Sequence, residues 1–250
     1  MAYKIQAGVH SVLRFIRRQK HNYQVGVARS SANSFLMGLT NQYSAIYTVG
    51  LGADSVQLGS LSSVGSAIST LISTPVGWSV DRRGVKLFAL VAIVLSAGGV
   101  LLYALAHDWR VLIAAAILTS ISGTLNGTGC SVICADSVQN RDRVTAQNLC
   151  GTLSSIASMI SPLIAAYLVT AFGGMNLEGI RPLYYLRFVG YGLVFLLVAA
   201  QLQEPQGKRL GKARGRLGFI ADFRQLFQGR PALRRWIVIS ALTSLPMVMF

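Results

Sequence analysis

Long apolar runs alternate with short polar breaks along most of this chain. The runs fall at roughly 25–50, 55–80, 86–107, 110–135, 144–173 and 183–203, and another starts near Arg235. Each complete run has about 20 residues or more, the length a helix needs to cross a hydrocarbon core about 30 Å thick. Backbone amides find no water in that core, so helix is the conformation such runs adopt. The pattern predicts an all-α polytopic membrane protein. Residues 1–24 read as a basic tail, 25–205 as a six-helix bundle, 206–233 as a basic connector and 234–250 as a truncated seventh helix. The breaks inside the bundle are short, which predicts that consecutive helices lie antiparallel as neighbours. The last run is still apolar at Phe250, so a second six-helix half is expected to follow.

Two polar stretches have patterns of their own. In residues 10–20, Val12, Phe15 and Ile16 share one helical side and basic residues take the other. That suits a helix lying on an anionic leaflet, with a solvated tail as the alternative. Residues 204–234 hold Pro205 and a run of Lys208, Arg209, Lys212, Arg214 and Arg216, followed by an amphipathic stretch at 219–227. They read as a partly helical cytoplasmic connector.

Composition agrees with a membrane protein. Charged residues make up 12% of the chain, about half the share a soluble surface uses. A net charge of +15 would suggest nucleic acid in a soluble protein. Position decides against that partner. All of the 23 Lys and Arg except Arg110, Arg181 and Arg187 lie in the tail, at the start of the first run or in alternate breaks. This is the positive-inside bias, and it puts the N-terminus in the cytoplasm. Arg14, Arg17, Arg18 and Lys20 superficially resemble the start of a signal peptide, but the following run is too long and lacks a cleavage site. Three cysteines, Cys130, Cys134 and Cys150, are odd in number and fall in or beside apolar runs. They read as small packing residues rather than a disulfide framework.

The polar residues inside the runs are the candidates for function. In the first run, Arg29, Asn33, Thr40, Ser44 and Tyr47 fall within about 60° of one another at helical periodicity. A polar stripe on a membrane helix faces protein or water rather than lipid. The fourth run carries Thr119, Gly123, Asn126 and Cys130. The fifth has a small face of Gly151, Ser154, Ser158, Ser161 and Ala165, and the second is rich in Gly59, Ser63 and Ala67. Such faces let helices pack closely. No acid falls inside the six runs, since Asp54, Asp108 and Glu178 lie in breaks on the outer side. The three histidines, His10, His21 and His107, are scattered. No metal-ligand cluster, phosphate loop or nucleophile–base pair is present, so no enzyme activity, cofactor or metal is expected.

One break carries a distinctive string. Gly77, Asp81, Arg82, Gly84 and Lys86 stand in the spacing G-x-x-x-D-R-x-G-x-K. The string resembles the signature loop of the major facilitator superfamily, with Val85 where a basic residue is usual. Ala28-Arg29, Tyr47, Gly50-Leu51-Gly52-Ala53 and Ala135-Asp136 followed by Arg141 and Arg143 agree with that family in order, and the resemblance covers residues 25–250. It implies the N-terminal bundle of a secondary transporter that passes a small-molecule solute between two halves, with H+ or another ion as coupling partner. It also implies an inner (plasma) membrane location in a bacterium or archaeon. Asp81 and Arg82 would belong to a cytoplasmic latch with Gly77, Gly84, Lys86, Asp136 and Arg143. Gly84 suits a tight turn and Gly77 a close helix approach, while Arg83 reads as a positive-inside residue. The family places the first run beside a central cavity, which makes Arg29, Asn33, Thr40, Ser44, Tyr47 and Asn126 the cavity candidates. For each of them an interhelical hydrogen bond is the open alternative. Arg29, read as about one turn from the cytoplasmic end, would belong to either the cavity or the latch. Gly123 stands where many proton-coupled members carry arginine. Ser161-Pro162 is a degenerate match to a motif of drug antiporters. A polytopic protein of this fold with a structural or regulatory role and no transport is the alternative function.

Overall fold

The computed structural model describes residues 21–83 and 85–202, all within the first of two compact units, Met1–Lys208. The side chains at 81–83, 85, 128–137 and 140 also lie outside the description. The expected tail helix, basic connector and seventh helix therefore fall outside the described residues.

The described residues form seven α-helices and one short 3-10 turn, with no strand among them. In chain order the helices are α1 (His21–Asn41), α2 (Ser44–Gly50), α3 (Ser55–Arg83), α4 (Val85–Leu105), α5 (Trp109–Ser137), α6 (Arg143–Ala171) and α7 (Leu177–Gln201). The turn, Asn140–Asp142, leads into α6. All six apolar runs are helical, with two departures from expectation. The first run breaks at Gln42–Tyr43 into α1 and α2. There the Tyr43 N–H bonds the Thr40 carbonyl at 3.1 Å, the tighter i→i−3 pattern that shifts helical phase. The sixth helix starts at Leu177, six residues before the apolar run. Its opening turns contain Glu178, Arg181 and Pro182, which hydropathy reads as a break. Glu178 is thus in a helix and not in a loop, and an acid in a first turn is favoured by the helix dipole.

Helices α4, α5, α6 and α7 are long and apolar enough to cross a membrane. The other long helices, α1 and α3, are more polar. In α3, the hydroxyls of Ser60, Ser63, Thr70 and Ser73 donate to backbone carbonyls three or four residues earlier, at 2.7–2.9 Å. The helix thereby satisfies its own polar groups.

Packing does not follow chain order. The extensive contacts are α4–α5, α1–α6, α3–α5, α4–α7 and α1–α7, and only the first joins chain neighbours. The pairs α3–α4, α5–α6 and α6–α7 touch little, which corrects the expectation from short loops. Small residues select the partners instead. A Cβ on Gly38 would stand 2.8 Å from the Ser161 Cβ, and one on Gly65 would stand 2.8 Å from the Ser120 hydroxyl. Ser161 also donates to the Phe35 carbonyl at 2.6 Å, and Ser30 meets Ser154 at 2.9 Å. Ser154 and Ser161 of the small face expected on the fifth run thus lie in the α1–α6 seam, while Gly151 and Ser158 are exposed. Among the described residues, a Cβ on Gly77 meets nothing within 4 Å. The main core runs through Leu39, Tyr47, Val100, Leu112, Leu183 and Tyr184. A smaller cluster joins Tyr23, Val27, Val138, Ala146 and Cys150, so Cys150 is a packing residue.

Candidate functional site

A polar cavity of about 310 Å³ lies between α1, α4, α5 and α7. Helix α1 contributes Arg29, Ser30 and Asn33, α4 contributes Ser96, α5 contributes Ser122, Gly123 and Asn126, and α7 contributes Arg187 and Tyr191. Two hydrogen-bonded chains build its wall. In the first, Arg29 donates to the Asn126 side-chain oxygen, and Asn126 Nδ2 donates to Ser122 Oγ at 3.4 Å. Ser122 spends its own proton on the Ala92 carbonyl at 3.0 Å. It therefore accepts from Ser96, its other hydroxyl neighbour. In the second chain, Arg187 donates to Thr40 Oγ1 at 2.5 Å and to the Tyr191 hydroxyl at 3.2 Å. The Tyr191 hydroxyl donates on to Asn33 Oδ1 at 3.3 Å. The Arg187 guanidinium also lies 5.5 Å from the Tyr191 ring centroid, within cation–π range.

Arg187 and Tyr191 are absent from the sequence-based candidates. The apolar run starts at 183, so the sequence places Arg187 at the outer start of the sixth run. With α7 starting at Leu177, Arg187 lies about 15 Å along the helix, half the thickness of a hydrocarbon core. An arginine inside an apolar run was the available signal, since intramembrane charge marks function by default. Arg29 moves in the same direction. Helix α1 starts at His21, so Arg29 sits about two turns in rather than one, and it is 5% exposed.

The predicted stripe divides. Arg29, Asn33 and Asn126 line the polar cavity. Ser44 lines a second, more open space of about 610 Å³ with Thr48, Ser62, Ser66 and Tyr103. Thr40 and Tyr47 line neither space. Thr40 is the buried acceptor for Arg187. Tyr47 is fully buried: it donates to the Tyr103 carbonyl at 2.8 Å and packs on Tyr184 with ring centroids 4.9 Å apart. The phase shift at Gln42–Tyr43 turns it off the Arg29 face and into this tyrosine cluster. Arg181 closes the cluster by donating to the Ala106 carbonyl at 2.7 Å.

Of the expected latch, Lys86 donates to the Ala199 carbonyl at 3.2 Å and so covers an acceptor in the last turns of α7. Arg143 is exposed at the start of α6. The Asp81, Arg82 and Asp136 side chains, and Gly84 altogether, lie outside the described residues.

Residues 28–250 match the family model described as the Major Facilitator Superfamily. The chain belongs to that superfamily. With four apolar helices of membrane-crossing length, it is an integral membrane protein. Among solved structures, it is similar to the peptide transporter POT crystallised in complex with alafosfalin. The TM-score is 0.55 at 16% identity, with 89% of this chain and 45% of that chain covered. At that identity the likeness is one of fold, and this superfamily chain spans less than half of its neighbour's length. No curated protein matches the sequence. Within the superfamily bundle, the polar cavity sits near mid-helix at Arg29 of α1 and Arg187 of α7.

Proposed function

We propose that the chain is the N-terminal half of a secondary active transporter that moves a small solute by alternating access. The carrying observation is the cavity between α1, α5 and α7, lined by Arg29, Asn33, Asn126, Arg187 and Tyr191. Polar and charged groups are costly at that depth and are kept where they meet solute or water. The superfamily and the fold favour a transporter over an enzyme. A second six-helix half would cover the cavity's open side, and rocking of the halves would expose it alternately. The positive-inside bias favours a cytoplasmic N-terminus. The segment at 77–86, the end of α3 and start of α4, would then lie on the cytoplasmic face, where Asp81 and Arg82, with Asp136 and Arg143, would latch the halves. An inner membrane of a bacterium or archaeon is the proposed location.

The test is solute counterflow in vesicles carrying the full-length protein, with a panel of labelled small solutes and ion gradients of either sign. Saturable uptake that protein-free vesicles lack is expected. Uptake no faster than in empty vesicles across the panel would instead favour the structural or regulatory role.

A further inference from the structure

We propose that this cavity takes its solute by an acidic group, with Arg187 as the principal contact for a carboxylate or phosphate oxygen and Arg29 as a second cation on the same wall. The inference rests on the transport reading and goes beyond it by naming the substrate class. The argument starts from charge. Both arginines line one cavity, and among the described residues no Asp or Glu lines it beside Arg187. By position, the chain's eight acids give no candidate at that depth. Asp54, Asp108, Asp142 and Glu178 stand at the ends of helices, and Asp81 and Asp136 fall in the last turns of α3 and α5. Glu204 and Asp222 follow α7. A cation halfway through a bilayer is expensive unless an anion or aligned dipoles meet it.

Geometry selects Arg187. Its bonds to Thr40 and Tyr191 use two of the five guanidinium donors. Its Nε is buried without a hydrogen-bond partner among the described residues. Thr40 and Tyr191 hold the group in place, and Asn33 fixes the Tyr191 hydroxyl in turn. The guanidinium is thereby oriented before any solute arrives, with donors still to fill. A planar fork of that kind matches a carboxylate or phosphate through two parallel bonds. The neutral groups beside it, Asn126 and the Ser96–Ser122 pair, would face the rest of a small polar molecule. The mid-helix depth of Arg187 points to a free solute rather than a lipid headgroup.

The experiment uses full-length protein in phosphatidylcholine vesicles. Succinate and phenylphosphonate serve as anionic probes and succinamide as the neutral counterpart. Binding is read by thermal shift, and exchange by counterflow. An anionic probe is expected to bind saturably and succinamide weakly. Arg187→Gln should weaken anion binding by about ten- to hundredfold, the scale of a lost hydrogen bond to a charged group, while Arg187→Lys keeps part of it. Asn33→Asp, nearly isosteric, should weaken it as well by placing a competing carboxylate beside Tyr191. That variant keeps the test decisive if Arg187→Gln does not fold. Equal binding of succinamide, or anion binding indifferent to both variants, would overturn the proposal. Loss of succinate binding on adding phosphatidylglycerol would overturn the solute in favour of a headgroup. Failure of both anions to bind would overturn it in favour of an acidic partner for Arg187 from the second half. Anion binding that depends on Arg187 without any counterflow would leave this inference standing and remove the transport reading. Counterflow of neutral solutes unaffected by Arg187→Gln would do the reverse.

Discussion

Gly38 sets how near α1 and α6 can lie. Its absent side chain leaves the space that Ser161 fills, and a Cβ there would stand 2.8 Å from the Ser161 Cβ. Gly38→Ala is therefore expected to cost about 1–3 kcal/mol, the usual scale of overpacking in a filled seam. The loss should appear as a lower melting temperature of the full-length protein in detergent. Adding Ser161→Gly should recover a good part of it, because contacting residues are not additive. Two independent losses that simply add would show that the seam is not tight. Tyr47 gives a complementary expectation. Its hydroxyl bonds a backbone carbonyl inside the tyrosine cluster and faces no cavity. Tyr47→Phe should cost about 1 kcal/mol of stability and leave the KM for any transported solute unchanged. A raised KM would return Tyr47 to the cavity wall. At this scale the sequence was informative where a residue's partner is a neighbouring helix face. Ser161 could be read from the period of small residues on its own helix. Arg187 stands inside an apolar run, but its depth depends on where α7 starts, and Pro182 with two charged residues hides that start.

Lys86 ties two helices together. Its ammonium reaches the Ala199 carbonyl, so the start of α4 covers an acceptor near the end of α7, where helix carbonyls lack amide partners and favour a cation. Lys86→Met should lower stability by about 0.3–1 kcal/mol, read as a small drop in melting temperature, with Lys86→Arg close to wild type. An unchanged melting temperature for Lys86→Met would return the residue to a purely topological role. The polar face of α3 is the other unfinished element. Gly59, Ser63, Ser66 and Ala67 are exposed, and lipid gains nothing from such a face. If the second half slides over it, Ala67→Trp should reduce transport about tenfold by overpacking the interface while melting stays near wild type. Full transport by that variant would assign the face to lipid. Element existence was legible because an apolar run of membrane length admits only helix. Element partnership was not. Loop length suggested chain neighbours, whereas close seams form where a glycine on one helix meets a side chain on another, as at Gly38–Ser161, Gly65–Ser120 and Gly190–Leu36. A single helix read alone does not contain that information.

For the whole molecule, topology and latch join in one argument. Once Arg187 is assigned to the membrane interior, Arg110 and Arg181 are the only Lys or Arg left for the outer side of the described bundle. The positive-inside bias is then stronger than the sequence count suggested. Gly84→Cys should be labelled by a membrane-impermeant maleimide only when the cytoplasmic side is accessible, and labelling from outside alone would invert the orientation. The signature loop also divides by task. Lys86 is engaged within its own half, with α7, and would move with that half as one body during rocking. In the proposed latch, Asp81 and Arg82, together with Asp136 and Arg143 at the neighbouring end of the bundle, would meet the second half. A latch made this way holds one state by a few charge pairs, and removing one acid should shift the balance between states rather than the fold. Asp81→Asn is therefore expected to melt within about a degree of wild type, to raise cytoplasmic accessibility of a cysteine placed at Gly123 on the cavity wall, and to slow net transport several-fold. Unchanged accessibility together with unchanged transport would remove Asp81 from the latch, while a large drop in melting temperature would make it a packing residue of its own half.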